Sequence, residues 1–343
     1  PVSVETFMDC ALGDPTFGYY MTRDPFGAAG DFVTAPEISQ MFGELLGVWT
    51  LSMWAALGAP RRLRLVELGP GRGTLMADLL RALSIAPEIF EALDVRMVET
   101  SPSLRRAQQA SLAGASAPVQ WHERIEDVPG GPAIFVANEF FDALPVRQYV
   151  RAVDGWRERM VTHAHDGGFA FTPGGRVEPS LRVEAETGAV LEIAARSHAA
   201  MAALGRRVAR EGGALLAIDY GHSETAIGET LQAVRAHRFV DPLAEPGLAD
   251  LTAHVDFAAL ARTARASGCK TFGPVTQGAF LRELGIGERA QSLMRGADEG
   301  QRRGILAALR RLVGSEPGEM GALFKAFCAT QPGLAAPPGF EAT

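Results

Sequence analysis

The chain has 343 residues, of which 47% are hydrophobic, and its formal net charge is −7. These values predict a folded protein with a large core, in one large or two modest domains, and argue against disorder. The acidic balance without a basic block argues against nucleic acid as the main partner. Three scattered cysteines without paired spacing indicate a reducing compartment, with neither a zinc site nor a disulfide framework.

Helices and a loop are predicted for the N-terminal segment, residues 1–60. Apolar spacing predicts a short helix over residues 2–12. A longer helix carries apolar side chains over residues 38–49, and the pattern Thr34-x-x-Glu37 is typical of a capping box that begins it. Such a cap would account for both polar residues without any ligand.

Between these helices lies an irregular segment, residues 18–35, that is rich in turn residues and aromatic side chains. Loops of this kind are where functional residues concentrate. We interpret the segment as a lid over a cofactor, to which Tyr20 and Asp31 contribute contacts.

A strand, a glycine turn and a helix follow one another in the sequence LRLVELGPGRGT, residues 63–74. Glycines at every second position allow a sharp turn and a close approach of the backbone to a ligand. The helix that follows presents unpaired N–H groups to an anion. We predict a nucleotide-type cofactor site built from Glu67, Gly69, Pro70, Gly71 and Gly73.

The spacing within this turn separates two kinds of cofactor. A dinucleotide fingerprint would have its third small residue one position later, at Thr74, so a nicotinamide dehydrogenase is disfavoured. An acid followed by Gly-x-Gly-x-Gly resembles the first motif of class I S-adenosylmethionine methyltransferases, whose loop wraps the methionine end of the cofactor. An ordinary tight turn without a ligand is the alternative.

The tips of the next two predicted strands supply further cofactor candidates. The second strand, residues 95–98, ends at Glu99, which is placed to accept hydrogen bonds from ribose hydroxyls and is followed by Thr100. The third strand, residues 118–121, ends at Trp121, where adenine is usually held. Packing explains a tryptophan at this position equally well.

The fourth predicted strand, residues 133–137, runs directly into Asn138, Glu139 and, shortly after, Asp142. In a doubly wound parallel sheet, ligands bind at the carboxyl ends of the strands, beside the switch in strand order. Since the fourth strand lies next to the first in such a sheet, we expect these three residues to face the reacting end of the cofactor. For Asp142, capping of the next turn is the alternative.

An insertion is predicted after the fourth strand, at residues 146–182. Its alternating apolar and polar residues, with turns at residues 154–155 and 166–168, indicate an antiparallel meander. His163 and His165 lack a third ligand at suitable spacing, so we interpret them as exposed strand histidines and predict no metal site.

A helix over residues 191–208 and a fifth strand over residues 214–218 are predicted next, followed by a hairpin strand at residues 230–237. His254 precedes a further helix. It is a candidate for substrate binding or proton removal, although helix capping explains its sequence context almost as well.

The last two strands are predicted at residues 269–275 and 323–329. Residues 278–322 read as a helical insertion between them. The predicted cofactor-binding core therefore comprises residues 61–277 together with 323–332.

Five segments, taken in order, resemble the MidA-type methyltransferases, a family that includes a mitochondrial complex I assembly-factor arginine methyltransferase. They are GYYMTRDPFGAAGDFVTAPEISQMFGE, VELGPGRGTL, ANEFFDALPV, IDYG and TAHVDFAAL. The resemblance covers most of the chain to about Gln277. It implies an α/β, class I Rossmann-like doubly wound sheet, S-adenosyl-L-methionine as cofactor, and symmetric dimethylation of an arginine on a complex I core subunit.

An arginine acceptor would need help from carboxylates, because its guanidinium is permanently protonated and therefore a poor nucleophile. Carboxylates that grip it in bidentate fashion localise the charge and expose one nitrogen to the methyl group. Glu139 is the first candidate for this role, Asp142 the second and Asp31 the third. Methylation of another protein nitrogen or of a small molecule, and a noncatalytic assembly chaperone, are the competing hypotheses.

These features also set expectations for partners and location. We expect a protein substrate, no nucleic acid, no stable membrane insertion and, as a further hypothesis, a homodimer. The arginine-rich composition and the absence of a presequence favour a bacterial cytoplasm, or the mitochondrial matrix if the protein is eukaryotic.

Overall fold

The computed structural model describes residues 1–22, 31, 33–115, 117–165 and 167–340. Most of the predicted lid, including Phe26 and Phe32, therefore lies outside the described residues. The chain folds into two compact units. The large unit comprises Val33–Phe140, Ala200–Gly221 and Leu260–Thr343, and the meander unit comprises Pro1–Phe32, Phe141–Ala199 and His222–Ala259. The domain boundaries drawn from the sequence stay a prediction.

The helices, numbered in chain order, are α1 (Val4–Gly13), α2 (Tyr19–Thr22), α3 (Ala35–Ile38), α4 (Gln40–Ala56), α5 (Thr74–Leu83), α6 (Pro87–Ala92), α7 (Pro102–Ser111), α8 (Ala195–Glu211), α9 (Phe257–Ala266), α10 (Gln277–Glu283), α11 (Ile286–Met294) and α12 (Glu299–Val313). The strands are β1 (Val2–Ser3), β2 (Leu63–Leu68), β3 (Leu93–Val98), β4 (Val119–His122), β5 (Ala133–Asn138), β6 (Arg147–Ala152), β7 (Gly155–His163), β8 (Phe169–Val177), β9 (Val190–Ile193), β10 (Gly213–His222), β11 (Gln232–Arg235), β12 (Arg238–Val240), β13 (Asp250–Thr252), β14 (Val255–Asp256), β15 (Lys270–Thr276) and β16 (Phe324–Thr330).

The large unit is built on a sheet with the strand order β15-β16-β10-β5-β2-β3-β4. The strands β4, β3, β2, β5 and β10 pair in parallel, whereas β16 is antiparallel to both of its neighbours. Strand order reverses between β2 and β5, which is the switch point at which such sheets bind ligands. The α/β doubly wound fold predicted from the sequence, with the fourth core strand beside the first, is confirmed.

Helices α4 and α5 approach each other closely at two glycines, one turn apart on α4. A Cβ atom added at Gly43 would lie 2.5 Å from the Cβ of Asp78, and one added at Gly47 would lie 2.7 Å from the Cβ of Ala82. Large apolar side chains of α4 are buried in the same core as the strands. Small residues at this spacing thus allow the helix that precedes β2 to pack against the helix that follows it.

The N-terminus of the second predicted helix differs from the capping box expected there. Thr34 precedes α3 but makes no side-chain capping bond, and Glu37 instead accepts a hydrogen bond from the Thr74 hydroxyl at 2.5 Å. Ser39 is extended and its side chain caps α4 by accepting from the Met41 N–H at 3.2 Å. The capping-box prediction is wrong because a second, local cap divides the helix and a distant hydroxyl engages the glutamate.

In the meander unit, β6, β7 and β8 pair in antiparallel fashion, which confirms the predicted meander. Two strands join it from elsewhere in the chain. The N-terminal strand β1 pairs with β7, and β9 pairs with β6. The helix predicted over residues 191–208 is therefore wrong at its start, since residues 190–193 form a strand and α8 begins at Ala195. A separate sheet has the order β12-β11-β13.

Two properties of the described part of the chain bear on function. None of its helices combines the length and the apolar character needed to cross a membrane. No group of three or more His, Cys, Asp or Glu side chains within it is placed to hold a metal ion. His163 stacks on the Phe169 ring, with the ring centroids 5.2 Å apart.

Candidate functional site

The glycine turn after β2 has the backbone conformation that its sequence indicates. Gly69, Gly71 and Gly73 have φ values of +61°, +54° and +81°, in the left-handed region that L side chains rarely adopt. A Cβ added at Gly69 would lie 3.2 Å from Phe140, and one at Gly73 would lie 3.3 Å from Gln108. Gly73 precedes α5, so the turn leads directly into a helix N-terminus.

Glu67 lies near the end of β2 and is only 3% exposed. The Met76 N–H donates to its carboxyl group, while its Oε2 atom has no hydrogen-bond partner among the described residues. Burial, and then the nearby charge of Glu99, raise the pKa of Glu67 to about 8. A buried carboxyl group with a spare oxygen suits a ligand that brings a positive charge.

Glu99 follows β3 and is held by donors on both carboxylate oxygens. Its Oε1 accepts from the Ser101 N–H at 2.8 Å, and its Oε2 accepts from Gln108 Nε2 at 3.1 Å. Its main-chain carbonyl accepts two further bonds from Arg105. Burial raises the pKa of Glu99, and the backbone N–H groups of Ser101 and Thr100 oppose that rise. The cofactor contact predicted for Thr100 stays a prediction.

Gln108 on α7 joins the elements around the glycine turn and was not predicted from the sequence. Its Nε2 donates to the Gly71 carbonyl at 2.8 Å as well as to Glu99. Its Oε1 accepts from Trp121 Nε1 at 2.8 Å. Gln108 is fully buried, and a single amide within a helical pattern gives no local signal of such a role.

Asn138 and Glu139 lie at the carboxyl end of β5, next to β2. Glu139 has a φ of +51°, an uncommon left-handed conformation for a residue with a side chain. Its N–H donates to the Ile218 carbonyl at 2.9 Å, and its Oε1 accepts from Asn138 Nδ2 at 3.2 Å and from the Ala35 N–H at 3.4 Å. The Oδ1 atom of Asn138 is buried with no partner among the described residues.

Four other candidate residues, Tyr20, Asp31, Asp142 and His254, belong to the meander unit. Asp31 accepts from the Tyr19 hydroxyl at 2.6 Å and from the Ala236 N–H at 2.7 Å. His254 is half-buried, and its N–H donates to the Thr230 hydroxyl at 2.9 Å.

Tyr20 and Asp142 share a buried cluster with Asp250, a residue that sequence reasoning missed. The Tyr20 hydroxyl donates to Asp250 Oδ1 at 2.7 Å. Burial, followed by the charge of Asp142, raises the pKa of Asp250 to about 7, against the opposing hydrogen bond from Tyr20. Burial and both aspartates raise the pKa of Tyr20 well above its usual value. Asp250 lies far from Tyr20 in the sequence, so no motif connects them.

The large unit combines the strand order, a left-handed glycine turn and acids at the tips of β2 and β3, which together define the nucleotide-binding core of class I methyltransferases. Residues 45–275 match the family described as "Putative S-adenosyl-L-methionine-dependent methyltransferase". The chain belongs to this family. It is an S-adenosylmethionine-dependent methyltransferase, and the spare oxygen of Glu67 and the glycine turn fit that cofactor.

Relatives with assigned names are similar over almost the whole chain. The "Protein arginine methyltransferase NDUFAF7, mitochondrial" of Danio rerio is 38% identical, over 95% of this chain and 83% of the relative. The protein of the same name from Homo sapiens is 36% identical, over 95% of this chain and 79% of its own length. A crystal structure of a Burkholderia thailandensis protein bound to S-adenosyl-homocysteine superposes with a TM-score of 0.85, at 29% identity, over 99% of this chain and 90% of that chain.

Proposed function

We propose that this chain is a protein arginine N-methyltransferase and that Glu139 grips the acceptor guanidinium. The observation that carries the proposal is the left-handed backbone of Glu139 at the switch point of the sheet. Backbone strain of this kind costs on the order of 1–3 kcal/mol and concentrates at functional sites. It holds a carboxylate at the edge of the sheet where the glycine turn also lies.

The chemistry of the acceptor explains why a carboxylate is needed there. When bound, S-adenosylmethionine supplies an electrophilic methyl group on a sulfonium. The protein's task is then to align the nucleophile and exclude water. A carboxylate that accepts two N–H bonds from a guanidinium orients it and concentrates its positive charge away from the attacking nitrogen. Asn138, whose Nδ2 donates to Glu139 Oε1, orients that carboxylate.

We assign the cofactor contacts to the large unit. Glu67 would meet the positive charge of the cofactor, and the glycine turn from Gly69 to Gly73, including Pro70, would cradle its methionine end. Glu99 and Thr100 would hold the ribose, and Trp121 would cover the adenine. The observations that support these roles are the spare Oε2 atom of Glu67 and the fixed orientation of the Glu99 carboxylate.

The meander unit supplies the secondary candidates. Asp142 is the second carboxylate proposed for guanidinium binding, and His254 is proposed for substrate binding or proton removal. Tyr20 and Asp31 are proposed as cofactor contacts from the lid. Their hydrogen bonds to Asp250 and to Tyr19 and Ala236 hold them in place within that unit.

The names of the relatives support a protein arginine as the acceptor. We further propose that the acceptor is an arginine of a respiratory complex I core subunit, methylated during assembly, as the family resemblance implies. The proposed location is the mitochondrial matrix in a eukaryote and the cytoplasm in a bacterium. Light scattering of the purified chain tests the homodimer hypothesis.

The test follows the methyl group from labelled S-adenosylmethionine in a lysate depleted of this enzyme. We expect label in protein, recovered as methylarginine after hydrolysis. Glu139→Gln keeps the size of the side chain but removes its charge, and should lower labelling about a hundredfold while S-adenosyl-homocysteine still binds. Glu299→Gln, at a glutamate of α12 whose side chain is 86% exposed, is the matched control.

Two results would contradict the proposal. Label that enters only small molecules would exclude a protein acceptor. Labelling by Glu139→Gln at the rate of the control variant would exclude the role of Glu139. If Glu139→Gln loses labelling but complex I assembly is unchanged, a noncatalytic chaperone is favoured instead.

A further inference from the structure

We propose that Gln108 is a positioning residue that sets cofactor affinity by holding three parts of the cofactor site in one arrangement. Its side chain bonds the glycine turn at the Gly71 carbonyl, the acid Glu99 and the indole of Trp121. The inference rests on the cofactor contacts proposed above for Glu99 and Trp121. It adds a residue that needs no contact with the cofactor to control its binding.

The three bonds use the Gln108 amide in a single orientation. The indole Nε1 of Trp121 can only donate, so it must face the amide oxygen. The Gly71 carbonyl can only accept, so it must face the amide nitrogen. The second N–H of that nitrogen then points to Glu99 Oε2, at 3.1 Å. Both donors and the acceptor of the amide are therefore occupied, and no other natural side chain of this size provides the same set.

The arrangement also favours the charged form of Glu99. Its Oε1 accepts from the Ser101 N–H and its Oε2 accepts from Gln108, and both bonds oppose the rise that burial causes in the pKa of this carboxyl group. The remaining lone pairs of those oxygens stay available for ribose hydroxyls. Loss of the Gln108 bond would free the carboxylate to rotate or to take up a proton.

Close packing reinforces the hydrogen bonds. Gln108 is fully buried, and its Cα lies 3.3 Å from the position that a Cβ on Gly73 would occupy. The absence of a side chain at Gly73 thus lets α7 approach the glycine turn. A buried amide that loses its partners leaves the Gly71 carbonyl and the Trp121 N–H unsatisfied, which is costly away from water.

The experiment measures S-adenosyl-homocysteine binding by calorimetry, which needs no methyl acceptor. Gln108→Met keeps the length of the side chain and removes all three bonds, and should weaken binding about tenfold or more. Gln277→Met is the matched control. Gln277 is an equally buried amide of the large unit, bonded to the Leu312 carbonyl and not to the cofactor turn. Both variants should lower Tm, but only the first should weaken binding.

A second variant supplies a readout that a purely structural role would not change. In Gln108→Glu, an ionised carboxylate can still accept from Trp121 but repels Glu99, whereas a protonated carboxyl group can donate to it. The ratio of the Kd of this variant to that of the wild type should therefore fall as pH is lowered from about 8.5 to 6. If Gln108→Met does not fold, the pH dependence of the Kd ratio for Gln108→Glu carries the test alone.

Three outcomes would overturn the proposal. The first is equal weakening, or none, in Gln108→Met and Gln277→Met. The second is a Kd ratio for Gln108→Glu that does not change with pH. The third is no binding of S-adenosyl-homocysteine by the wild type, which would also remove the cofactor assignment. Failure to methylate arginine would contradict only the proposed acceptor and would leave all of these binding results intact.

Discussion

Each of the two units buries one carboxyl group whose pKa is strongly raised: Glu67 in the large unit, to about 8, and Asp250 in the meander unit, to about 7. The groups that surround these two acids differ. Glu67 in the large unit has one backbone donor and a spare oxygen, next to a turn built for a ligand. Asp250 in the meander unit receives the Tyr20 hydroxyl and faces Asp142. Glu67 therefore keeps one carboxyl oxygen for a positively charged ligand, whereas Asp250 is hydrogen-bonded by a hydroxyl group of the protein itself.

This difference predicts where each acid acts. Both acids should make stability depend on pH, because the pKa of each is raised on folding, but only removal of the Glu67 charge should also change ligand binding. The same physical cause, burial in a medium of low dielectric, thus serves two purposes that depend on the donors nearby.

The largest expected effect is on the pH dependence of stability, through Asp250→Asn. The pKa of Asp250 is raised from 3.8 to about 7 on folding, so the folded state holds a proton that the unfolded state has released between these values. Stability from this group is present below pH 4 and is lost as pH rises to about 7, by at most about 4 kcal/mol. Asparagine does not titrate and should gain in stability over the wild type across that range.

Urea unfolding of both proteins at intervals from pH 4 to pH 8 measures this effect. The difference between their free energies of unfolding should grow with pH and level off above about pH 7. Parallel curves would mean that Asp250 does not hold a proton in the folded protein, and the contrast with Glu67 would disappear.

The second effect concerns cofactor binding through Glu67. Its pKa of about 8 in the free protein should fall when a positively charged ligand binds, so binding below pH 8 releases a proton. Affinity for S-adenosylmethionine should therefore rise with pH up to about 8, by about tenfold from pH 6.5. Calorimetry at pH 7 in buffers of different ionisation enthalpy counts the protons released.

Glu67→Gln is the control. Protons that the ligand itself releases are counted with both proteins, so the difference between the two counts belongs to Glu67. The variant should release fewer protons and show a flatter affinity profile. Equal proton release by the two proteins would show that Glu67 is already ionised before the ligand arrives.

The sequence predicted the strands and the glycine turn of the large unit far better than the hydrogen bonds that hold its cofactor site together. The strand order and the glycine turn follow from local patterns, since a buried parallel strand and a turn each have a recognisable composition. The role of Gln108 was not predicted, because its partners Gly71 and Trp121 lie 37 residues before it and 13 residues after it along the chain. Only the folded sheet brings them together.

The meander unit shows the same limit more strongly. The hairpins β6, β7 and β8 are local and were predicted, whereas β1 pairs with β7 across more than 150 residues of chain, as in Val2 with Val161. The bond from Tyr20 to Asp250 spans 230 positions. Neither contact leaves a pattern in a single sequence, so the acid cluster could not be inferred before the fold was known.

The third effect concerns the hydrogen bond that the Tyr20 hydroxyl donates to Asp250 in the meander unit, which Tyr20→Phe removes. The Tyr20 hydroxyl lowers the pKa of Asp250, so its loss should move the pH midpoint of the stability change upward. It should also cost about 1 kcal/mol in the free energy of unfolding. Tyr19→Phe is the matched control, because that hydroxyl donates to Asp31 instead and should leave the midpoint in place. Equal shifts in both variants would contradict the assignment.

The smallest effect is expected at a half-buried acid of the large unit, Glu37, through Thr74→Val. Valine keeps the branched shape at the start of α5 and removes the hydroxyl that donates to Glu37 at 2.5 Å. Water can reach a half-buried carboxylate and replace that donor, so the free energy of unfolding should fall by only about 0.5 kcal/mol. Urea unfolding at pH 7 measures it. If Thr74→Val lowers the free energy of unfolding as much as Tyr20→Phe does, the depth at which an acid is buried does not govern the cost of removing its hydrogen-bond donor. The difference between the acids of the two units would then need another cause.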